Sequence, residues 1–436
     1  VIKAILLVGL NISGQERRAK KVGQGKLASV DASLNWPKNL QAVAARSPRD
    51  TESWQPVIIE MDTLDAEGRL NKLLDEVNVS SVVDNYDEQY AELIVSRRPG
   101  LYQSSYEEKV KILEGELAKH HKTSHSWQKG SWVYYPWNGT LMHLIPKELF
   151  LELRTTRNRN LITGEEQQIL EKFNVGCAGM SVGSNGALAL GISGYSQQLK
   201  IADGAVISGS NLNRVLANSS DVGLSKSLII ARKLHEMNPY MMIQRFGEDI
   251  TEENISSFFD TPWPLHAVID EIDNLKVKIM LRVEARKRQI PVLMATDLGD
   301  DVMLDVERFD LDPNLPFFHG LVEGVEDLLE KEVEKREWLR SATMIIGPKN
   351  ASIRVQQSLA QIGREIATQP QLGGTAIMAG AVLAYAVRKI ALGEELRSGR
   401  TIISLDSKLL ESHDTDEYRR RHKESTEMIE QALGII

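Results

Sequence analysis

From about residue 150 onward, short β-branched runs alternate with helix-patterned segments, and this alternation constrains the fold more than any other feature of the chain. Phe173-Asn174-Val175 leads through a glycine-rich turn into a small-residue helix over 184–195. A strand ending Leu199-Lys200-Ile201-Ala202-Asp203 follows. The helix expected over 224–237 places Leu224, Leu228, Ala231 and Leu234 on one face at helical spacing. The pattern then predicts a strand at Met242–Phe246, a helix opened by Thr251 as N-cap, and a strand at His266–Asp270. A helix at Leu275–Arg288 and a strand at Pro291–Thr296 complete the series. Such alternation implies an α/β fold with a Rossmann-like, doubly wound, mostly parallel sheet.

The first part of the chain repeats the theme on a smaller scale. Ile5-Leu6-Leu7-Val8, Val57-Ile58-Ile59 and Ser81-Val82-Val83 alternate with charge-rich segments, which predicts an N-terminal α/β domain over 1–125. Its opening Gly9-Leu10-Asn11-Ile12-Ser13-Gly14 resembles a nucleotide loop only loosely, since two glycines after a strand are common. Residues 105–122 read as a solvent-facing helix ending Lys119-His120-His121-Lys122. No thiolate is near and the lysines repel a cation, so these histidines do not read as a metal site. Two apolar runs around Asn138-Gly139, within Trp132–Leu144, predict a hairpin in a connector over 126–150. The second domain would then occupy 151–436, with an atypical insertion at about 312–368.

Charge and cysteine usage narrow the function classes. The chain carries 60 acidic and 52 basic residues, a net charge of −8, so it lacks the overall positive field of nucleic-acid binders. No uninterrupted apolar run approaches the ~20 residues of a membrane span, and the N-terminus has no signal-peptide cleavage pattern. The single cysteine, Cys177, excludes an intramolecular disulfide and any zinc site built from two thiolates. The cytoplasm is the expected compartment.

Chemistry concentrates at the strand ends of the second half. The turn Gly176-Cys177-Ala178-Gly179-Met180-Ser181-Val182-Gly183 lets backbone approach a phosphate at a helix N-terminus. Asp203 ends the next strand, 27 residues beyond Gly176, close to the spacing at which Rossmann folds bind a ribose hydroxyl. Together they point to an adenosine nucleotide. Ser210-Asn211-Leu212-Asn213-Arg214, Asp221 to Lys226, and Asp270-Glu271-Ile272-Asp273-Asn274 then place Asp, Arg and Lys after successive strands. ATP chemistry needs these residue types: cations for the phosphates and a carboxylate for magnesium. Each charge alone reads equally as a solvated surface group. Lys276 and Lys278 are expected to face solvent, and Arg419-Arg420-Arg421-His422-Lys423 reads as a solvated helix face.

In these motifs the sequence resembles the adenylating domain of ubiquitin-activating-type enzymes, the ThiF/MoeB class of thiamine and molybdopterin biosynthesis. The resemblance runs from about Arg154 to Asp406. Its most specific parts are the ungapped spacing from Asp203 to Ser210-Asn211-Leu212-Asn213-Arg214 and the later Pro370-Gln371-Leu372-Gly373-Gly374-Thr375. It implies that Gly176, Ala178 and Gly179 line the nucleotide loop and that Asp203 binds ribose. Asn211, Arg214 and Lys226 would face the phosphates, and Asp273 would bind Mg2+. Arg154-Thr155-Thr156-Arg157-Asn158 is similar to the family's Arg-x-x-Arg-Gln segment, which implies a homodimer with Arg157 reaching the partner's ATP site.

Departures from that pattern bear on mechanism. Ala178 and Ser181 replace glycines, Ala205 stands where a second carboxylate is common, and the Cys-x-x-Cys pairs of many relatives are absent, so no zinc is expected. No cysteine follows Asp273, which removes the usual thioester step. Cys177 reads as a small buried thiol. The resemblance implies an ATP-dependent adenylyltransferase that activates a carboxylate, either a protein C-terminus or a small acid, as an acyl-adenylate. Catalysis would fall to Arg214, Lys226, Asp273 and Arg157. An NAD/FAD-binding oxidoreductase-associated protein, or a non-catalytic nucleotide-binding scaffold, remains as an alternative.

Overall fold

A computed structural model describes residues 37–46, 49–329, 335–359 and 361–433. The expected strand at Ile5–Val8 and the Gly9–Gly14 segment lie outside these residues. Two sheets organise the described chain. The smaller has four strands: β1 (Val57–Glu60), β2 (Ser81–Asp84), β3 (Ser131–Tyr135) and β4 (Thr140–Leu144), in the order β1-β3-β4-β2. The Asn138-Gly139 hairpin therefore supplies the two central strands of this sheet rather than a connector beside it. β3 pairs antiparallel with β1 and β4, and β2 runs parallel to β4. Every residue of β3 is buried, which explains its continuous apolar and aromatic run.

Seven strands form the larger sheet: β5 (Val175–Ala178), β6 (Gln198–Ala202), β7 (Met242–Phe246), β8 (Ala267–Asp270), β9 (Val292–Asp297), β10 (Asp301–Glu307) and β11 (Gly399–Ser404). Their order is β11-β10-β9-β8-β5-β6-β7. Strands β5 to β9 are parallel, whereas β10 pairs antiparallel with both β9 and β11. The sheet is thus the Rossmann-like, mostly parallel one that the alternation predicts, closed on one side by an antiparallel pair. All four residues of β5 and of β8 are buried, as central parallel strands require. The chain leaves β5 toward β6 on one side and returns to β8 on the other. The carboxyl ends of β5 and β8 therefore flank a topological switch point, where open α/β sheets bind ligands.

Both faces are covered. One core joins the helices Gly183–Ser193, Lys226–Met237 and Gly373–Ala391 to the sheet through Leu188, Leu228, Leu234 and Leu383. The other packs Ile255–Asp260, Leu275–Arg288 and the 309–345 region through Phe258, Leu281, Phe309 and Phe317. Gly373–Ala391 is long and apolar enough, by length and composition, to cross a membrane. It packs instead against β9, β10 and Gly183–Ser193, with half of its apolar window buried. The two sheets meet at the end of Lys226–Met237. There Tyr135 Oη donates to His235 O (3.3 Å), Trp137 Nε1 donates to Glu236 Oε1 (2.6 Å), and Arg232 pairs with Asp50 (3.0 Å).

Some elements differ from expectation. Thr251 does not cap its helix, which begins at Ile255 with Asn254 as N-cap. Residues 252–254 form a turn, and Asn254 Oδ1 accepts the Thr251 N–H at 2.8 Å. Lys278 does not face solvent, because its Nζ lies 3.3 Å from the fully buried Asp270. Lys276 does reach the surface, where it pairs with Glu252. On the helix Asp416–Leu433, Arg419 and Arg420 are exposed and paired with Asp416 and Glu424.

Candidate nucleotide site

The turn after β5 is held in one shape by backbone geometry. Gly179 has φ +91°, and a Cβ there would collide with Glu271 O, so only glycine fits. Its N–H donates to Ala202 O at 2.8 Å, which holds the turn against the end of β6. Asp203 then closes the structure from the β6 side. Its Oδ2 accepts the Met180 N–H and its Oδ1 the Ala205 N–H, both at 2.7 Å. Lys226 Nζ stands 3.8 Å from Oδ2. Burial raises the Asp203 pKa, opposed by Lys226 and by the two backbone N–H bonds. Just past Met180, the N–H groups of Ser181 and Val182 have no hydrogen-bond partner among the described residues. They open the helix Gly183–Ser193, where an anion is favoured by free donors and by the helix dipole.

The Ser210 to Arg214 segment forms the opposite wall. Asn211 is buried and its Oδ1 accepts the Ser208 N–H at 3.0 Å, which fixes a short 3-10 turn over Gly209–Asn213. Arg214 follows. Its Nε donates to Ser181 Oγ at 3.3 Å, and its Nη1 donates to Ser210 O (3.1 Å) and Asn213 Oδ1 (2.9 Å). The guanidinium therefore lies beside the turn with the free amides. Asn185 Nδ2 donates to Arg214 O at 2.9 Å, and Asn213 Nδ2 donates to Gln371 O at 2.8 Å. Gly373 packs directly on Asn213 O, where a side chain would collide. Through these contacts the Pro370–Thr375 segment holds the Arg214 segment in place.

Carboxylates arrive from β8 and β9. Asp270 is buried against Arg282 (2.7 Å) and Lys278 (3.3 Å). Burial pushes its carboxyl up, but the two cations outweigh it and hold the pKa below its ordinary value. Burial raises Glu271 well above the carboxylate range even though it accepts the Ala295 N–H at 2.7 Å. Asp273 is exposed, and its charge couples to Arg214. Asp297, at the end of β9, is 5% exposed and is pushed up to about 6 by burial, which Arg214 opposes.

Asp203, Asn211, Arg214, Lys226 and Gly179 thus gather at the carboxyl ends of β5 and β6, with Asp273 across the switch point. Gly176 does not join them. It lies inside β5, where a Cβ would come within 2.8 Å of Phe258 and 2.5 Å of Leu265, so its role is packing. Ala178 is the last, fully buried residue of β5. Cys177 is fully buried and burial pushes its thiol up, which suppresses thiolate chemistry. Arg157 is exposed at the other end of the helix Gly183–Ser193, next to Asn158, whose Nδ2 donates to Ser193 O. That end is roughly 15 Å from the phosphate turn at 1.5 Å per residue. The structure does not bring Arg157 to the site of its own chain. Sequence reasoning quoted Ser181, Glu271 and Gln371 within motifs without giving them a role, and it missed Asn185 and Asp297. It also missed Asp249, whose Oδ1 accepts the Gly204 N–H at 3.2 Å beside the position of Ala205.

Fold and site together define an α/β protein whose crevice of charged residues and free amides lies at the β5/β8 switch point. Residues 155–423 match the ThiF family, and the chain belongs to that family. Over 278 residues it is 36% identical to an uncharacterised protein of Mycobacterium tuberculosis, covering 64% of this chain and 38% of that protein. It is 32% identical to the tRNA threonylcarbamoyladenosine dehydratase of Bacillus subtilis over 158 residues, 36% of this chain and 60% of the relative. The chain therefore spans less than two thirds of either relative's length. Among solved structures, the tRNA N6-threonylcarbamoyladenosine dehydratase TcdA of E. coli in complex with ATP superposes with a TM-score of 0.39 at 19% identity. That match covers 56% of this chain and 95% of TcdA. E. coli MccB with ATP gives a TM-score of 0.39 at 17% identity, over 61% and 77% of the two chains. Superpositions this loose add nothing to the fold assignment, which rests on strand order and the family match.

Proposed function

We propose that the chain binds Mg-ATP at the switch point and adenylates a carboxylate. The observation that carries this reading is Arg214. Its guanidinium is fixed by Ser181, Ser210 and Asn213, has no carboxylate within ion-pair distance among the described residues, and lies beside two unpartnered amides. A half-buried cation in that state suits a phosphate. Family membership supports the same reaction class. In it, a substrate carboxylate oxygen attacks the α-phosphorus and forms the acyl-phosphate bond. The bond from the α-phosphorus to the bridging oxygen breaks, and pyrophosphate leaves with the electron pair.

The chain's own residues act by position and charge. Lys226 Nζ, 3.8 Å from Asp203 Oδ2, opposes the burial that raises this carboxyl, whose oxygens would accept ribose hydroxyl hydrogens. The Ser181 and Val182 amides and Arg214 offset charge that develops on the phosphates. Asp273 fits magnesium as a single hard oxygen ligand, with phosphate oxygens and water supplying the rest. The metal would neutralise phosphate charge. Cys177 is the only thiol in this sequence and is buried, so it does not take the acyl group from the adenylate. We further propose a homodimer, because Arg157 is exposed and far from its own site.

Incubation with α-labelled ATP and a small-molecule extract of bacterial cells tests the reaction. AMP and pyrophosphate should form, and Arg214→Ala and Asp273→Ala should each reduce them ~100-fold or more, the scale of losing one charge-stabilising group. ADP and phosphate as products, or unchanged rates in both variants, would contradict the assignment.

A further inference from the structure

Residues 49–54 precede β1 of the smaller sheet and lie along the helix Lys226–Met237 of the larger one. Asp50 shapes this segment into a turn, its Oδ1 accepting the N–H groups of Glu52 and Ser53, both at 2.8 Å. Buried Arg232 anchors the turn: its Nε donates to Ser53 O at 2.7 Å and its Nη2 to Asp50 O at 3.2 Å. Trp54 packs on the core beside His235, with ring centroids 6.0 Å apart. Arg49 reaches past the other end of the helix, where its Nη1 donates to Val222 O at 3.0 Å and its Nη2 to Ser220 O. Neither carbonyl accepts a backbone N–H among the described residues, so the guanidinium satisfies both.

Those carbonyls belong to the loop that delivers Lys226. On its inner side the loop is bonded to the residues that follow Asp203. Ile207 N–H donates to Leu224 O (2.7 Å), Gly223 N–H to Ile207 O (2.8 Å) and Lys226 N–H to Ala205 O (3.0 Å). Ser227 Oγ donates to Asp203 O at 3.2 Å. Arg49 closes the outer side. We infer that Arg49 is a positioning residue for the nucleotide site: by holding the Ser220 and Val222 carbonyls it keeps Lys226 beside Asp203. The segment that leads into the smaller sheet thereby becomes part of the ATP-binding apparatus. The inference rests on the ATP-binding half of the function proposed above and extends it to a residue outside the larger sheet. Arginine suits the task, because its planar fork donates to two carbonyls at once. Without it the loop keeps its inner bonds and the fold stands, but the outer carbonyls turn to solvent and Lys226 is free to shift.

Calorimetric titration of the whole chain with Mg-ATP tests this in the wild type, Arg49→Ala, Lys226→Ala and the double variant. Arg49→Ala should weaken binding ~10-fold, within the usual range of coupling between two sites, while still melting cooperatively. Added to Lys226→Ala, it should cause no further loss, because its effect passes through that ammonium. Unchanged affinity in Arg49→Ala, or an equal loss in both backgrounds, overturns the inference and leaves the nucleotide site standing. Trypsin digestion of the wild type is the second measurement, and it decides alone if Arg49→Ala fails to fold or Lys226→Ala binds too weakly to titrate. Cleavage after Arg49 needs its side chain out of the loop contact. Mg-ATP should therefore slow it ~10-fold relative to cleavage after Lys72, an exposed residue of the smaller domain. Equal slowing at both sites, or none, overturns the inference. Absence of ATP binding by the wild type removes the nucleotide reading and the inference with it.

Discussion

At the scale of single residues, the ionisation of Asp297 opposes folding. Its pKa is raised from 3.8 to about 6, first by burial. The native state therefore holds the proton more tightly than the unfolded chain does. Stability is highest below the unfolded pKa near 4, falls as pH rises toward 6, and stays reduced above it. Two pKa units correspond to about 3 kcal/mol. Asp297→Asn should therefore stabilise the protein at pH 7 by up to about 3 kcal/mol and have little effect at pH 4, measured by urea unfolding at both pH values. Destabilisation at pH 7 would show that the carboxylate is satisfied. The sequence pattern places Asp, Arg and Lys after successive strands, and the family resemblance singles out Asp203, Asn211, Arg214 and Asp273 in those segments. Asp297 was not legible in this way. Its hydrogen-bond donor, Gln371, lies 74 residues away, and no local pattern distinguishes it from a solvated aspartate.

At the scale of elements, the helix Gly373–Ala391 positions the site by packing. A Cβ on Gly380 would come within 2.5 Å of the Asn185 backbone in the helix Gly183–Ser193, and Asn185 in turn holds Arg214 O. Gly380→Ala should cost about 1–3 kcal/mol by overpacking and should weaken ATP binding by moving Arg214, as read by unfolding and by calorimetry. A destabilised variant with unchanged ATP affinity would break the link between that helix and the site. Boundaries of Leu275–Arg288 and Met242–Phe246 could be read directly from period and caps. The β10–β11 edge could not. Asp301, Asp305 and Glu307 interrupt the apolar run of β10, and what makes two of them tolerable lies elsewhere in the chain. Arg400 bonds Asp305 at 2.8 Å and Arg282 bonds Glu307 at 2.7 Å. A strand whose charges are compensated from other elements does not announce itself in its own residues.

At the scale of the whole molecule, the larger sheet carries the proposed nucleotide site while the smaller one docks on the far end of Lys226–Met237. The distance of Arg157 from its own phosphate turn makes the proposed dimer testable by complementation. Arg157→Ala and Arg214→Ala should each be inactive alone. Mixed in equal amounts, they should recover about one quarter of wild-type activity, because half the dimers are mixed and each has one intact site. Recovery near zero, or a monomer by light scattering, would contradict a shared site. The central claim is more basic: the switch point binds ATP. Calorimetric titration of the intact chain with ATP, with and without magnesium and against NAD, tests it most directly. One ATP per chain, bound at least ~10-fold more tightly with magnesium, and no NAD binding is the expected result. Binding of NAD without ATP, or of neither, would contradict it.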